Sequence, residues 1–128
     1  MIFIDTNFFL RFLLADVDLQ HKEAKDFFLK AANGEFHCFT STIVFFEVYW
    51  VVLGQFKDQK DKTIGLLNKL LQFHFIEIEN VDLISKALGI YEQSNLGLVD
   101  CFNLVYAKDK KASGFKTFDK ALIRKLFS

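Results

Sequence analysis

The sequence predicts an α/β fold with a parallel sheet flanked by helices, and three observations lead there. Short apolar runs alternate with longer stretches of helical periodicity, the rhythm of strands joined by crossover helices. The first run is apolar at every position, as a parallel strand covered on both faces is. No linker, repeat or low-complexity segment interrupts the 128 residues, so a single domain over 1–128 is expected.

The elements follow in chain order. Residues 2–4 of the opening MIFIDTNFFLRFLLA form the first expected strand. Helices are expected at about 6–14 and 18–32, the second amphipathic through Ala24, Phe27, Phe28 and Ala31 and closed by Asn33-Gly34. EFHCFT (35–40) reads as the second strand. Thr40 or Ser41 can cap a helix over 42–56, and another helix covers 60–73. FIEIE (75–79) is the third strand, followed by helices near 82–94 and 98–112. GFKTF (114–118) supplies a fourth strand, and a terminal helix carries Lys120 to Phe127. Right-handed crossovers connect such strands, and ligands of such sheets collect beyond the strands' carboxyl ends.

Composition narrows the function classes. A hydrophobic share of 52% with 17 Phe is a rich apolar load for so short a chain, so an apolar patch and a symmetric homodimer are expected. With 25% charged residues the chain is not disordered. The net charge of zero hides an asymmetry: residues 1–107 carry 9 Lys+Arg against 14 Asp+Glu, and residues 108–128 carry 7 against 2. The basic end, with Lys108, Lys110, Lys111, Lys116 and Lys120, reads either as a phosphate-binding patch or as a solvated surface. Cys38 and Cys101 have no CxxC spacing and read as small buried hydrophobes in a reducing compartment. His21, His37 and His74 are scattered, with no HExxH-type pair for zinc. The amino terminus lacks the basic region and cleavage site of a signal peptide, and the apolar stretch 43–53 is too short to span a bilayer and is broken by Glu47. A cytoplasmic protein without a membrane role is expected.

Four acids stand out. Asp5 ends the first strand, where a buried carboxylate needs a partner. Glu47 is the one charge in IVFFEVYWVVLGQF, Asp100 opens the LVDCFNLVYA helix, and Asp119 follows the fourth expected strand in KTFDKAL. Each has a local alternative: Glu47 can pair with Arg11, Asp100 can sit on the helix dipole, and Asp119 can cap the terminal helix. Together they point to a shared cation. A carboxylate cluster without His or Cys selects a hard divalent ion, Mg²⁺ or Mn²⁺, and such a site suits phosphodiester chemistry. Asn7 adds a polar group to orient water or a carboxylate, Asn103 falls one helical turn after Asp100, and Thr117 lies two residues before Asp119.

At these residues the sequence resembles the PIN-domain nucleases, and among them the small VapC-type toxins of toxin-antitoxin pairs. FIDTNFFLRFLL resembles the family's opening strand and D-T-N signature, STIVFFEVYWVV its central helix with a single Glu, and LVDCFNLVYAKDKKASGFKTFDKAL its Asp-bearing helix followed by the T-x-D strand end. The resemblance implies a single PIN-like domain with four parallel strands in the order 3-2-1-4. It places Asp5, Glu47, Asp100 and Asp119 in a metal-binding, catalytic quartet accompanied by Asn7 and Thr117. It further implies a metal-dependent ribonuclease that leaves 5′-phosphate and 3′-hydroxyl ends, forms homodimers and is silenced by a cognate antitoxin protein. The RNA-backbone patch is expected to comprise Arg11, Lys108, Lys110, Lys111, Lys116 and Lys120. Asn103 departs from the family pattern, which more often has an apolar residue there, and relatives often continue into a fifth strand.

Two rival classes compete with this reading. An aspartyl phosphatase wants a second acid two residues after the first, and Asn7 holds that place. A non-catalytic RNA- or partner-binding module of the same fold is the stronger rival, set against the presence of all four acids.

Overall fold

The structure, a computed structural model, describes residues 1–126. It divides into two compact units, Met1–Val81 and the residues from Asp82 onward. The first unit is a βααβααβ arrangement: β1 (Ile2–Phe3), α1 (Thr6–Leu14), α2 (Asp18–Ala32), β2 (Cys38–Thr40), α3 (Thr42–Gln55), α4 (Lys60–Leu71) and β3 (Ile76–Ile78). The three strands are parallel in the order β1-β2-β3, with Ile2 opposite Cys38 and Cys38 opposite Ile76. Each pair is joined through two helices, the long crossover that parallel neighbours require.

Local chemistry fixes the boundaries. Ser41 Oγ accepts the Val44 N–H at 3.1 Å and caps α3. Thr40, the other candidate cap, is buried and instead donates its hydroxyl to the Ile4 carbonyl at 2.7 Å, tying β2 to the end of β1. The Asn33-Gly34 stop is observed. Gly34 takes a left-handed φ of 87°, and the amides of Gly34 and Glu35 close on the carbonyls of Ala31 and Lys30. The same hydrogen-bond pattern ends a later helix early, as described below.

A cluster of phenylalanine rings packs onto a mainly aliphatic core in this unit. Phe28 is 3% exposed and touches the rings of Phe8, Phe9, Phe12 and Phe73 at centroid distances of 5.3 to 5.8 Å. Much of the phenylalanine load is therefore consumed inside one unit. Burial also pushes the Cys38 thiol up, and both Cys38 and Cys101 are buried thiols outside any disulfide among the described residues.

The second unit is helical: α5 (Val81–Gln93), α6 (Leu98–Asp109) and α7 (Lys120–Leu126). The helix expected over 98–112 stops at Asp109. Lys111 turns left-handed at φ 56°, and the amides of Lys111 and Ala112 bond back to Lys108 and Ala107. The expected end of the terminal helix, Phe127, lies outside the described residues.

Two expectations are corrected. No strand forms at 114–118, and among the described residues the sheet has three strands instead of four. Side chains claim the local backbone there: Thr117 Oγ1 accepts the Asp119 N–H, and Asp119 Oδ1 accepts those of Ala121 and Leu122. Such bonds offer the chain an alternative to a ladder. The first strand is also not covered on both faces, since Ile2 and Phe3 are 38% and 47% exposed and only Ile4 is buried.

Candidate active site

In the first unit, the turn from β1 into α1 meets the middle of α3. Asp5 has an extended backbone and its Oδ1 accepts the Thr6 N–H at 2.7 Å, which makes it the N-cap of α1. The orphan N–H groups and dipole of that helix end favour an anion at this position. Asp5 is exposed, so the buried carboxylate expected at the strand end is instead a solvated cap. Thr6 is buried and its hydroxyl donates to Glu47 Oε1 at 3.2 Å, fixing α3's acid beside α1. Glu47 is likewise exposed. The Glu47–Arg11 pair does not form, because Arg11 Nη1 binds Asp16 Oδ1 at 2.7 Å. That hydrogen bond holds the Asp16 carboxyl below its usual range. Asp5, Thr6, Asn7, Leu10, Glu47 and Trp50 line one open cleft of about 320 Å³.

In the second unit, Asp100 lies half-buried in the first turn of α6, where the helix dipole favours it, and Asn103 is exposed on the same helix. Asp119 is exposed and its Oδ1 accepts the N–H groups of Ala121 at 2.8 Å and Leu122 at 3.2 Å, so it caps α7, the alternative foreseen for it. Capping does not exhaust a carboxylate, which has two oxygens and about four acceptor positions. Thr117 sets the approach by accepting the Asp119 N–H at 3.0 Å. Lys108, Lys110, Lys111, Lys116 and Lys120 are exposed here, with Lys110 Nζ 5.8 Å from the Tyr106 ring. The larger cavity of this unit, about 800 Å³, is lined by apolar residues such as Leu104, Phe115 and Ile123, with Lys108 and Lys125, and holds none of the four acids.

Within neither unit do three or more His, Cys, Asp or Glu side chains gather as a metal-holding group among the described residues. The donors that the first unit does bring to one cleft, two carboxylates and the Asn7 side-chain amide, are oxygen ligands of the kind Mg²⁺ and Mn²⁺ take. The cleft residues therefore fit a hard divalent cation by their chemistry.

The PIN domain family model matches residues 2–126. The chain belongs to the PIN domain family. No curated protein and no solved structure matches it. A mixed α/β chain with a three-stranded parallel sheet is consistent with a PIN fold, and PIN domains are usually nucleases that act on RNA or DNA with divalent metals. Two residues of this PIN domain's cleft escape motif reading. Thr6 hides inside the D-T-N signature, where its neighbours attract attention. Trp50 stands three residues after Glu47, a spacing that puts both on one helix face.

Proposed function

We propose that residues 1–128 act as one PIN nuclease domain, a metal-dependent endoribonuclease that is the toxin of a toxin-antitoxin pair and works as a homodimer in the cytoplasm. The observation that carries the reading is the cleft in which Asp5, Asn7 and Glu47 meet under a hydrogen bond from Thr6. Asp5 and Glu47 would hold Mg²⁺ or Mn²⁺, and the family resemblance would add Asp100 and Asp119 to the ligand set, with Asn103 one helical turn after Asp100. When bound, a hard divalent ion activates water and offsets the charge that builds on phosphorus. Asn7 orients water or a carboxylate, and Thr6 fixes the Glu47 rotamer so that little reorganisation is left for the reaction. A water oxygen then bonds to phosphorus as the P–O3′ bond breaks, leaving a 5′-phosphate and, after proton uptake, a 3′-hydroxyl. Arg11, Lys108, Lys110, Lys111, Lys116 and Lys120 supply backbone charge, with Arg11 available only when it leaves Asp16.

The test is cleavage of labelled single-stranded RNA and DNA by purified protein. RNA cut with Mg²⁺ or Mn²⁺, not cut in EDTA and not cut by Asp5→Asn is the expected result. Binding without cleavage by the parent protein under all metals would favour the non-catalytic module, and activity undiminished by chelation would remove the metal from the mechanism.

A further inference from the structure

The cleft pairs its acids with an aromatic ring that no backbone chemistry requires. Trp50 lies on α3 three residues after Glu47, lines the same cleft as Asp5 and Asn7, and is 54% exposed. An indole so exposed forgoes much of the stabilisation that burying a large apolar side chain contributes. Its ring is flanked by Phe46, itself only 8% exposed, with centroids 6.4 Å apart and a 44° tilt. Phe46 is held in turn edge-on by Phe45 at 5.6 Å and Tyr49 at 6.4 Å. A ring packed on one side and open on the other, beside the cleft's two carboxylates, has the form of a stacking platform for an unpaired base.

We propose that Trp50 is a substrate-positioning residue that stacks a nucleobase of single-stranded RNA next to the phosphate held at Asp5 and Glu47. The inference rests on the ribonuclease reading above. Every base has a π-face, so this contact favours unpaired over duplex RNA without choosing a sequence. The cleft that Trp50 lines sets Asp5, Thr6, Asn7 and Glu47 beside Leu10 and Val51, and its two carboxylates suit a strand whose phosphate a divalent cation would tie to them better than the charge-depleted core of a protein interface.

Trp50 is the only tryptophan of the chain, so its emission reports this one position. The probe is a fluorescein-labelled oligoribonucleotide of about ten nucleotides, and Asp100→Asn protein with Mg²⁺ keeps it uncut while label anisotropy and tryptophan emission are read together. Stacking predicts that emission is quenched along the same isotherm as the anisotropy rises, and that an abasic strand of equal length leaves it unquenched. Trp50→Ala should weaken binding about tenfold, with Trp50→Phe retaining most of the affinity. Because the emission signal needs no change at position 50, it stands whether or not Trp50→Ala folds. A rise in anisotropy without quenching would overturn the stacking role and leave the ribonuclease reading intact. No rise in anisotropy would overturn both. Emission that shifts with protein concentration in the absence of RNA, with association seen by light scattering, would reassign Trp50 to a protein contact.

Discussion

Asp5 caps α1 and faces the cleft at once, so substitutions can be chosen that separate the two duties. Asn caps a helix about as well as Asp, and Ala does not. Asp5→Asn is expected to stay within about 0.5 kcal/mol of the parent, whereas Asp5→Ala loses about 1 kcal/mol, read from urea unfolding. Both should lose cleavage by roughly two orders of magnitude or more, since the charge is gone in each. An Asp5→Asn protein with parental activity would leave Asp5 as a cap alone. Glu47→Gln makes a second separation. Gln keeps an oxygen for the Thr6 hydroxyl, and no buried cation is stranded, because Arg11 is held by Asp16. Stability should move by no more than about 0.5 kcal/mol instead of the 3–5 kcal/mol that breaking a buried pair costs. Activity should collapse, and millimolar Mg²⁺ should raise the melting temperature of the parent more than that of the variant. At this scale the sequence shows which residues carry acids but not how they are seated. Asp5 looks buried because it follows an apolar strand, yet the N-cap position turns it to solvent.

Helix α3 gives little sign in its sequence of where Glu47 points. Its residues are apolar almost all round, so periodicity carries no sign of which face is open, and the exposed side holds Ile43, Glu47, Trp50 and Val51. Helices with clear stripes were legible, and α1 and α2 have the boundaries their patterns predict. The segment 114–118 misled because apolar alternation cannot reveal that Thr117 and Asp119 will take the backbone amides for a helix start. A different strand end shows how elements are joined. Glu79, just after β3, accepts the Thr42 N–H at 3.0 Å on its carboxylate and the Thr42 hydroxyl on its carbonyl at 3.1 Å, tying β3 to the start of α3. The backbone hydrogen bond from Thr42 holds the Glu79 carboxyl below its usual range. A depressed acid pKa contributes stability above the unfolded value, and that contribution is lost as pH falls through the folded value. Melting temperatures measured from about pH 7 to about pH 3 should therefore fall less for Glu79→Gln than for the parent. Parallel curves would mean that Glu79 carries none of the acid sensitivity.

For the molecule as a whole, charge is sorted along the chain more than it is balanced. The first 107 residues are net acidic and the last 21 net basic, although the total is zero. No helix among the described residues is long and apolar enough to cross a membrane. Nucleic acid is the partner this asymmetry suits, since a polyanion is attracted to the tail while divalent cations offset the acids. Neutralising phosphates releases counterions, and the affinity of such a protein falls with salt in proportion to the charges engaged. Replacing Lys108, Lys110, Lys116 and Lys120 together by Gln should flatten the dependence of log K on log salt by about one unit for each lysine that contacts a phosphate. It should weaken unrelated RNA sequences alike and leave the positions of cleavage unchanged, because phosphate contacts position the strand without reading bases. Lys111 is best left in place, since its left-handed turn closes α6. An unchanged salt slope in filter-binding or anisotropy titrations would make the basic end a solvated surface, and a changed cleavage pattern would give its lysines a part in choosing the substrate.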